Sequence, residues 1–449
     1  MEEVPVSSDF ATPTLIFPTA PLPLVAAFDG GRVTSDGGLP WLAEADAVLG
    51  ICDAFAGAVR DWRRRRGHHA LVDLVRQRVF QIACGYADQN DADALRVDPL
   101  LKLVCGRRPE SGPDLASQPT FSRLENAVTR TTCYRLAVAL GELYLRERER
   151  DGIPARIVLD LDGTDDPTHG QQEGSAYHGY FAQHMYFPLL IFDGETDHLI
   201  TAVLRPGAVH ASRGVVPVLK RVVRALRQRW PDVRIALRAD SGFAVPALYE
   251  FCEAEDITYA IGLIPNPRLV ALAAPLLANA QRQQRETGAE KVRLLGEVTY
   301  QAGSWPQPRR VIVKAEALPK GPNTRFVVTT RAEAPAAVYA WYAARGEAEN
   351  WIKDLKRACF ADRLSDHRFW ANQFRLLLHA AAYWLLDTLR RWLITAGTAR
   401  LQLDTLRLRL LKIGGRVREA LGWVRLSLAA GHPGQDLWLR LATVHPLRE

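Results

Sequence analysis

The sequence predicts an α/β fold: a mixed sheet with flanking helices, interrupted by a β-rich insertion and bracketed by helical N- and C-terminal regions. Three observations predict it. Apolar residues alternate with period two in short runs from residue 156 onward, helical spacing fills the gaps between those runs, and three more β-rich runs cluster between 292 and 330. At 449 residues with 48% hydrophobic content, the chain has enough apolar surface for a core and room for two or three domains.

Residues 40 to 107 read as helical, with Leu71, Leu74, Val75, Val79 and Ile82 at helical spacing, and the polar stretch Arg108 to Pro119 closes them. The run Arg156 to Asp162 then alternates: Ile157, Leu159 and Leu161 share one strand face, Asp160 and Asp162 the other. Further strands are expected at Tyr186 to Phe192 and His198 to Leu204, followed by a helix from Val215 to Trp230 and a strand Val233 to Arg238 that ends at Asp240. A helix near Pro246 to Glu255 leads to a strand Thr258 to Leu263. This order, three strands, helix, strand, helix, strand, is that of a ribonuclease-H-like sheet, in which acidic residues at neighbouring strand ends meet at one edge.

Beyond it, a helical patch (Leu269 to Thr287) precedes the runs Val292 to Gln301, Arg309 to Ala315 and Arg325 to Thr330, which read as a small inserted sheet. A helix from Pro335 to Lys356 carries Glu349, and the rest reads as helical, punctuated by Gly414-Gly415 and Gly431-His432-Pro433-Gly434. The expected divisions are a helical N-terminal region 1–130, a first core segment 131–265, a β-rich insertion 266–334, a second core segment 335–400 and a basic helical C-terminal region 401–449.

The net charge of +7 fits a polyanionic partner, although an arginine-rich genome composition produces the same excess. Its location is more informative. Residues 363 to 449 carry fourteen Arg and Lys against six Asp and Glu, whereas residues 1 to 125 are slightly acidic yet hold the cluster Arg60, Arg63, Arg64, Arg65, Arg66, Arg76 and Arg78. Six scattered cysteines without a C-x-x-C pair argue against zinc fingers and a disulfide framework, so reduced thiols are expected. The start Met1-Glu2-Glu3, with Pro13, Pro18, Pro21 and Pro23 breaking the apolar stretch, is unlike a signal peptide. Phe374 to Ile394 is interrupted by Arg375, His379, Asp387, Arg390 and Arg391 and reads as a buried helix, not a membrane span.

Chemistry concentrates in Asp162, Asp240 and the run Tyr342-x2-Arg345-x3-Glu349-x6-Lys356. On a helix turning roughly 100° per residue these four side chains fall within about 60° of one another, a face suited to gripping phosphate beside a metal ion. Converging carboxylates without Cys or paired His favour a hard, oxygen-preferring ion. Taken singly, each residue also fits a turn, a cap or a solvated helix face.

The segments Leu159 to Gly170 (LDLDGTDDPTHG), Arg238 to Phe243 (RADSGF) and the Tyr342 to Lys356 run resemble those of bacterial insertion-sequence DDE transposases of the Tyr-Arg-Glu-Lys branch. The similarity extends to Leu115 to Arg123 and Leu411 to Gly414. The resemblance implies a DNA transposase with Asp162, Asp240 and Glu349 as catalytic metal ligands for two Mg2+ ions, which Mn2+ can replace, and with Asp160 as the alternative first ligand. It further implies that Tyr342, Arg345 and Lys356 contact DNA phosphates near the cut.

By the same resemblance the partners are double-stranded DNA, at terminal inverted repeats and at the target, and a second copy of the chain in the synaptic complex, in the cytoplasm with no membrane. Cut-and-paste chemistry is implied: hydrolysis at the element's end, passage through a hairpin, then attack of the 3′-hydroxyl on target DNA. A nuclease without strand transfer and an inactive or domesticated DNA-binding derivative are the rivals. Trp305, beside Arg309 and Arg310, is by the resemblance a candidate for stacking on a flipped base, while a single Trp more often packs in a core. Arg63, Arg64, Arg65 and Arg66 are candidates for gripping phosphates. His169, His178 and His184 are expected to hydrogen-bond locally, outside the metal set.

Overall fold

The computed structural model describes residues 15–17, 22, 24–61, 63, 67–150 and 152–445. Two compact units are distinguished, one of Leu49–Arg66 with Ser122–Leu385, the other of Met1–Val48, Gly67–Phe121 and Leu386–Glu449.

The larger unit is built on an eight-stranded sheet, counted among the described residues. Its strands are β1 (Arg156–Gly163), β2 (Leu189–Asp193), β3 (Leu199–Val203), β4 (Arg234–Ala239), β5 (Thr258–Leu263), β6 (Val292–Tyr300), β7 (Arg309–Ala317) and β8 (Asn323–Thr329), in the spatial order β6-β7-β8-β5-β4-β1-β2-β3. The first three are joined antiparallel, while β4 and β5 run parallel to β1. That is the ribonuclease-H-like arrangement expected from the order of elements.

Among its helices are α1 (Arg130–Arg148), α2 (Val215–Arg229), α3 (Pro246–Ala254), α4 (Pro267–Thr287), α5 (Pro335–Ala343), α6 (Glu347–Cys359) and α7 (Phe369–Thr395), the last counted in this unit as far as Leu385. Proline begins α3, α4 and α5, where a missing backbone N–H removes no helix bond. The Asn266 side chain caps α4 by accepting from the Leu269 amide at 3.0 Å. Ile157, Leu159 and Leu161 are fully buried, and so is Asp160 on the opposite face. Covering both faces fixes the strand's register, because a one-residue slip would exchange the carboxylates with aliphatic side chains.

Four expectations change. The strand expected from Tyr186 to Phe192 breaks at Pro188, which cannot donate to a ladder: Gln183–Tyr186 joins a small three-stranded sheet and Leu189–Asp193 the large one. The β-rich insertion is not a separate sheet, since β8 pairs antiparallel with β5 and carries β7 and β6 onto the main sheet. The helix expected from Pro335 to Lys356 is two helices, divided by a tighter 3-10 turn at Ala344–Gly346, where Gly346 has poor helix propensity.

The C-terminal region is not wholly helical either. In the second unit Gly415–Ala420 (β9) and Trp423–Leu428 (β10) form an antiparallel hairpin, with β9 also paired to Val33–Thr34. Val417 is buried between exposed Arg416 and Arg418, a two-residue period, and Gly422 supplies the positive φ at the turn. Of the charges that interrupt the apolar run of helix α7, Arg375 is buried against Glu125 at 2.6 Å in the larger unit, and Asp387 pairs with Arg390 and Arg391. Among the described residues no helix is long and apolar enough to cross a membrane.

Candidate active site at the strand ends

The registration of β1 with β4 determines which carboxylate is spoken for. Asp160 lies opposite Arg238 in the parallel ladder, and the two form a bidentate pair with Arg238 Nε and Nη2 each 2.6 Å from an Asp160 oxygen. Arg238 also donates to the Trp341 carbonyl at 2.9 Å. Both side chains are almost wholly buried. Two residues further along each strand, on the same face, come Asp162 and Asp240. The alternating carboxylates of β1 therefore divide the work: Asp160 neutralises an arginine inside the sheet, and Asp162 faces the strand ends.

Asp162 accepts from the Gly163 amide through Oδ1 at 2.8 Å and from Arg345 Nη1 through Oδ2 at 3.1 Å. Asp240 caps the 3-10 turn Ser241–Phe243, its Oδ1 accepting from the Gly242 amide at 2.8 Å. Arg345 stands in the turn between α5 and α6, and its Nη2 also lies 3.7 Å from Glu349 Oε1. One guanidinium thus links a carboxylate on β1 to one on α6. The Glu349 side chain is 69% exposed, against 11% for Asp162.

Tyr342 enters from the end of α5, with its hydroxyl over Gly262 of β5. A Cβ at Gly262 would lie 2.7 Å from that hydroxyl and 3.1 Å from the Ser241 amide, so only glycine leaves the ring its place beside Asp240. Lys356, three turns along from Arg345, donates to the Asp165 carboxylate and to its carbonyl, each at 2.9 Å. Despite the break between α5 and α6, Arg345 reaches Asp162 on β1, Tyr342 reaches Gly262 on β5 and Lys356 reaches the Asp165 loop, while Glu349 is linked to the group through Arg345.

Burial pushes the Asp162 carboxyl up to about 7, against the pull of Arg345 and with the neighbouring Asp240 adding to the shift. Burial opposes the charge of Arg345, yet Asp162, Tyr342 and Asp240 hold it above its usual value. Burial likewise raises the Tyr342 hydroxyl, with Arg345 opposing. Negative charge accumulates here, offset by Arg345.

Asp162, Asp240 and Glu349 offer only carboxylate oxygens, donors of the type that suits a hard divalent ion such as Mg2+. Among the described residues no three Asp, Glu, His or Cys side chains close up into a metal-holding group; Arg345 sits between two of the carboxylates. The donor types fit the ion, with Glu349 on an exposed helix face as the most displaced of the three.

Other expected site residues lie elsewhere. Trp305 is 7% exposed and packs edge-on against Tyr249 and Tyr300, with ring centroids 5.3 Å away in each case, under the guanidinium of Arg309. It is a core residue, and a base cannot stack on it in this arrangement. Arg63 is paired with Asp61 at 2.8 Å, while Arg64, Arg65 and Arg66 lie outside the described residues. Arg78 is buried and donates to the carbonyls of Tyr86 and Ala87, and Arg76 pairs with Asp46 at 3.0 Å; both brace the second unit. His178 packs against Phe181 and Phe187, and His184 against Tyr177.

Sequence reasoning missed Arg238, Asp165 and Gly262. The dipeptide before Asp240 and the doubled aspartate after Thr164 were visible as motif residues, but their partners follow only from register.

The family described as "Transposase DDE domain group 1" matches residues 19–448. No curated protein matches the chain. Among solved structures, the cryo-EM structure of piggyBac transposase synaptic complex with hairpin DNA is similar at 12% identity and a TM-score of 0.43, over 84% of this chain and 80% of that chain.

Proposed function

We propose, for a chain that belongs to the transposase DDE domain group 1 family, that it moves a DNA element by cut-and-paste transposition, with Asp162, Asp240 and Glu349 as its catalytic carboxylates. The observation that carries this reading is the placement of Asp162 and Asp240 one residue beyond the Leu161–Ala239 pair of parallel strands, with Arg345 joining Asp162 to Glu349. The bidentate pair of Asp160 with Arg238 supports Asp162 over Asp160 as the first of the three.

Asp162, Asp240 and Glu349 would hold Mg2+ or Mn2+, and bound ions of this kind activate an attacking oxygen and stabilise a leaving oxygen in phosphodiester transfer. The chain's own residues supply the grip. Arg345 offers a forked donor that matches a phosphate, Lys356 a point charge on the Asp165 loop, and Tyr342 a hydroxyl fixed in direction by its seat over Gly262. Together they would orient the scissile phosphate against the carboxylates, so that water cuts first and the freed 3′-hydroxyl attacks target DNA next. Two ends joined in one event require two active sites, hence a homodimer on DNA.

The test is incubation of purified protein with Mg2+, a duplex carrying the element's own ends and a target plasmid. Joined product is expected. Cutting without joining would identify a nuclease, and binding without cutting would leave a DNA-binding derivative.

A further inference from the structure

The hairpin β9–β10 carries more positive charge than its own fold can use. Arg418 and Arg425 are direct register partners, and Arg416 lies opposite Ser427 on the same face. All three arginines are exposed, and no hydrogen bond or ion pair engages them among the described residues. Like charges directly opposite each other weaken an antiparallel pair. The same face continues through Trp423, 58% exposed, to the turn, where Leu421 is 96% exposed.

The opposite face is anchored. Val417 is buried, and Glu419 accepts from the amides of Glu110 and Ser111 at 2.9 and 3.0 Å, while its own amide donates to Glu110 Oε1 at 3.0 Å. The carboxylate that could have neutralised the ribbon is therefore turned away from the arginines and committed to a neighbouring loop. What results is a fixed ribbon with one cationic face, two-stranded beyond its Gly415–Arg416 end, where Val33–Thr34 adds a short third strand.

We propose that this ribbon binds duplex DNA, its arginines contacting backbone phosphates along a groove. Charge complementarity selects the occupant: a cationic face with no acidic residue among its six positions matches a regular polyanion. Dimensions agree, since the major groove admits a two-stranded ribbon and six residues span about 20 Å, on the order of six base pairs. Arg416 and Arg418, two residues apart on one strand, are separated by about 7 Å. The contacts are to phosphates and carry no sequence information. The inference rests on the reading of the protein as DNA-acting, and it assigns that activity a second contact surface, separate from the carboxylates.

Fluorescence anisotropy of the full chain with a labelled mixed-sequence duplex, across a sodium chloride series without divalent ions, tests it. The variant R416A/R418A/R425A should bind more weakly, and the slope of log affinity against log salt should fall in magnitude by about 2.7, at roughly 0.9 per phosphate contact. The matching triple lysine variant should recover the slope. An unchanged slope in the alanine variant, with wild type binding normally, would overturn the ribbon assignment and leave the transposase reading standing. Wild type that does not bind duplex would overturn both. Failure of the lysine variant to recover, with thermal melting lowered in both variants, would make the arginines structural and end the proposal. Equal loss of binding to phosphatidylserine vesicles and to duplex would mark a general anionic surface and overturn it too.

Discussion

Arg345 Nη1 lies 3.1 Å from Asp162 Oδ2, so the guanidinium occupies one lone-pair direction of the carboxylate proposed as the first metal ligand. Uptake of a divalent cation at Asp162 has to compete with this pair. At 4 Å and an effective dielectric near 20, repulsion between unit charges is about 4 kcal/mol before screening. Arg345→Met is therefore expected to tighten Mn2+ binding by roughly tenfold or more in calorimetric titrations without DNA. The same substitution should lower end cleavage by about a hundredfold, through loss of a phosphate donor. Weaker Mn2+ binding in the variant would show that Arg345 organises the ligands and does not compete for them.

Asp160 and Asp162 are expected to separate cleanly on substitution. Asp160→Asn leaves Arg238 as a buried, half-paired cation, and breaking such a pair typically costs about 3–5 kcal/mol. Its effect should be seen in urea unfolding, and Asp160→Asn combined with Arg238→Met should recover much of the loss. Asp162→Asn removes a carboxyl whose burial already disfavours its charge, so stability should be unchanged or higher while cleavage disappears. Retained cleavage in Asp162→Asn would return the ligand role to Asp160.

These two aspartates also show how far the sequence could be read. Period-two alternation placed both on one face, and the motif containing them marked the strand end, but alternation is blind to what stands across the ladder. Arg238 decides between them, and its position opposite Asp160 depends on a parallel register set 78 residues later in the chain. Element order and the acidic strand ends were legible because local pattern encodes them. Three features were not: Gly262 under Tyr342, the turn dividing α5 from α6, and the joining of the insertion to β5. The first and third depend on close approach between distant segments, and the turn is too short an interruption for helical periodicity to reveal. The cationic hairpin was hidden for a different reason, since glycines and arginines near the C-terminus read equally well as helix punctuation and basic surface.

Trp305 now makes a prediction opposite to the one its neighbours in sequence invited. Enclosed by Tyr249, Tyr300 and Arg309, it should behave as a core residue. Trp305→Ala is expected to destabilise the larger unit by about 3–5 kcal/mol, and Trp305→Phe by less. DNA-end affinity of the folded Trp305→Phe variant, measured by gel shift, should match wild type. A selective loss of end binding at unchanged stability would restore the stacking role.

Acid should act on the added strands before the central ones. Burial raises Glu316 on β7, but Lys314 at 2.8 Å and Lys291 and Arg293 at 3.0 Å together outweigh it and hold the carboxyl at about 2, against an ordinary value of 4.5. The folded pKa is depressed, so the stability Glu316 contributes is fully present above about pH 4.5 and is lost as pH falls from there towards 2. Glu316→Gln should therefore destabilise the protein at pH 7, on the order of 1–2 kcal/mol because two of the three cations are half-exposed and screened. The difference from wild type in thermal melting should shrink steadily between pH 4.5 and 2. Hydrogen exchange should localise the loss to β6, β7 and β8. A deficit that stays constant across that window would mean Glu316 acts through its shape and hydrogen bonds, including that from Asn323 Nδ2 at 3.1 Å, and not through its charge.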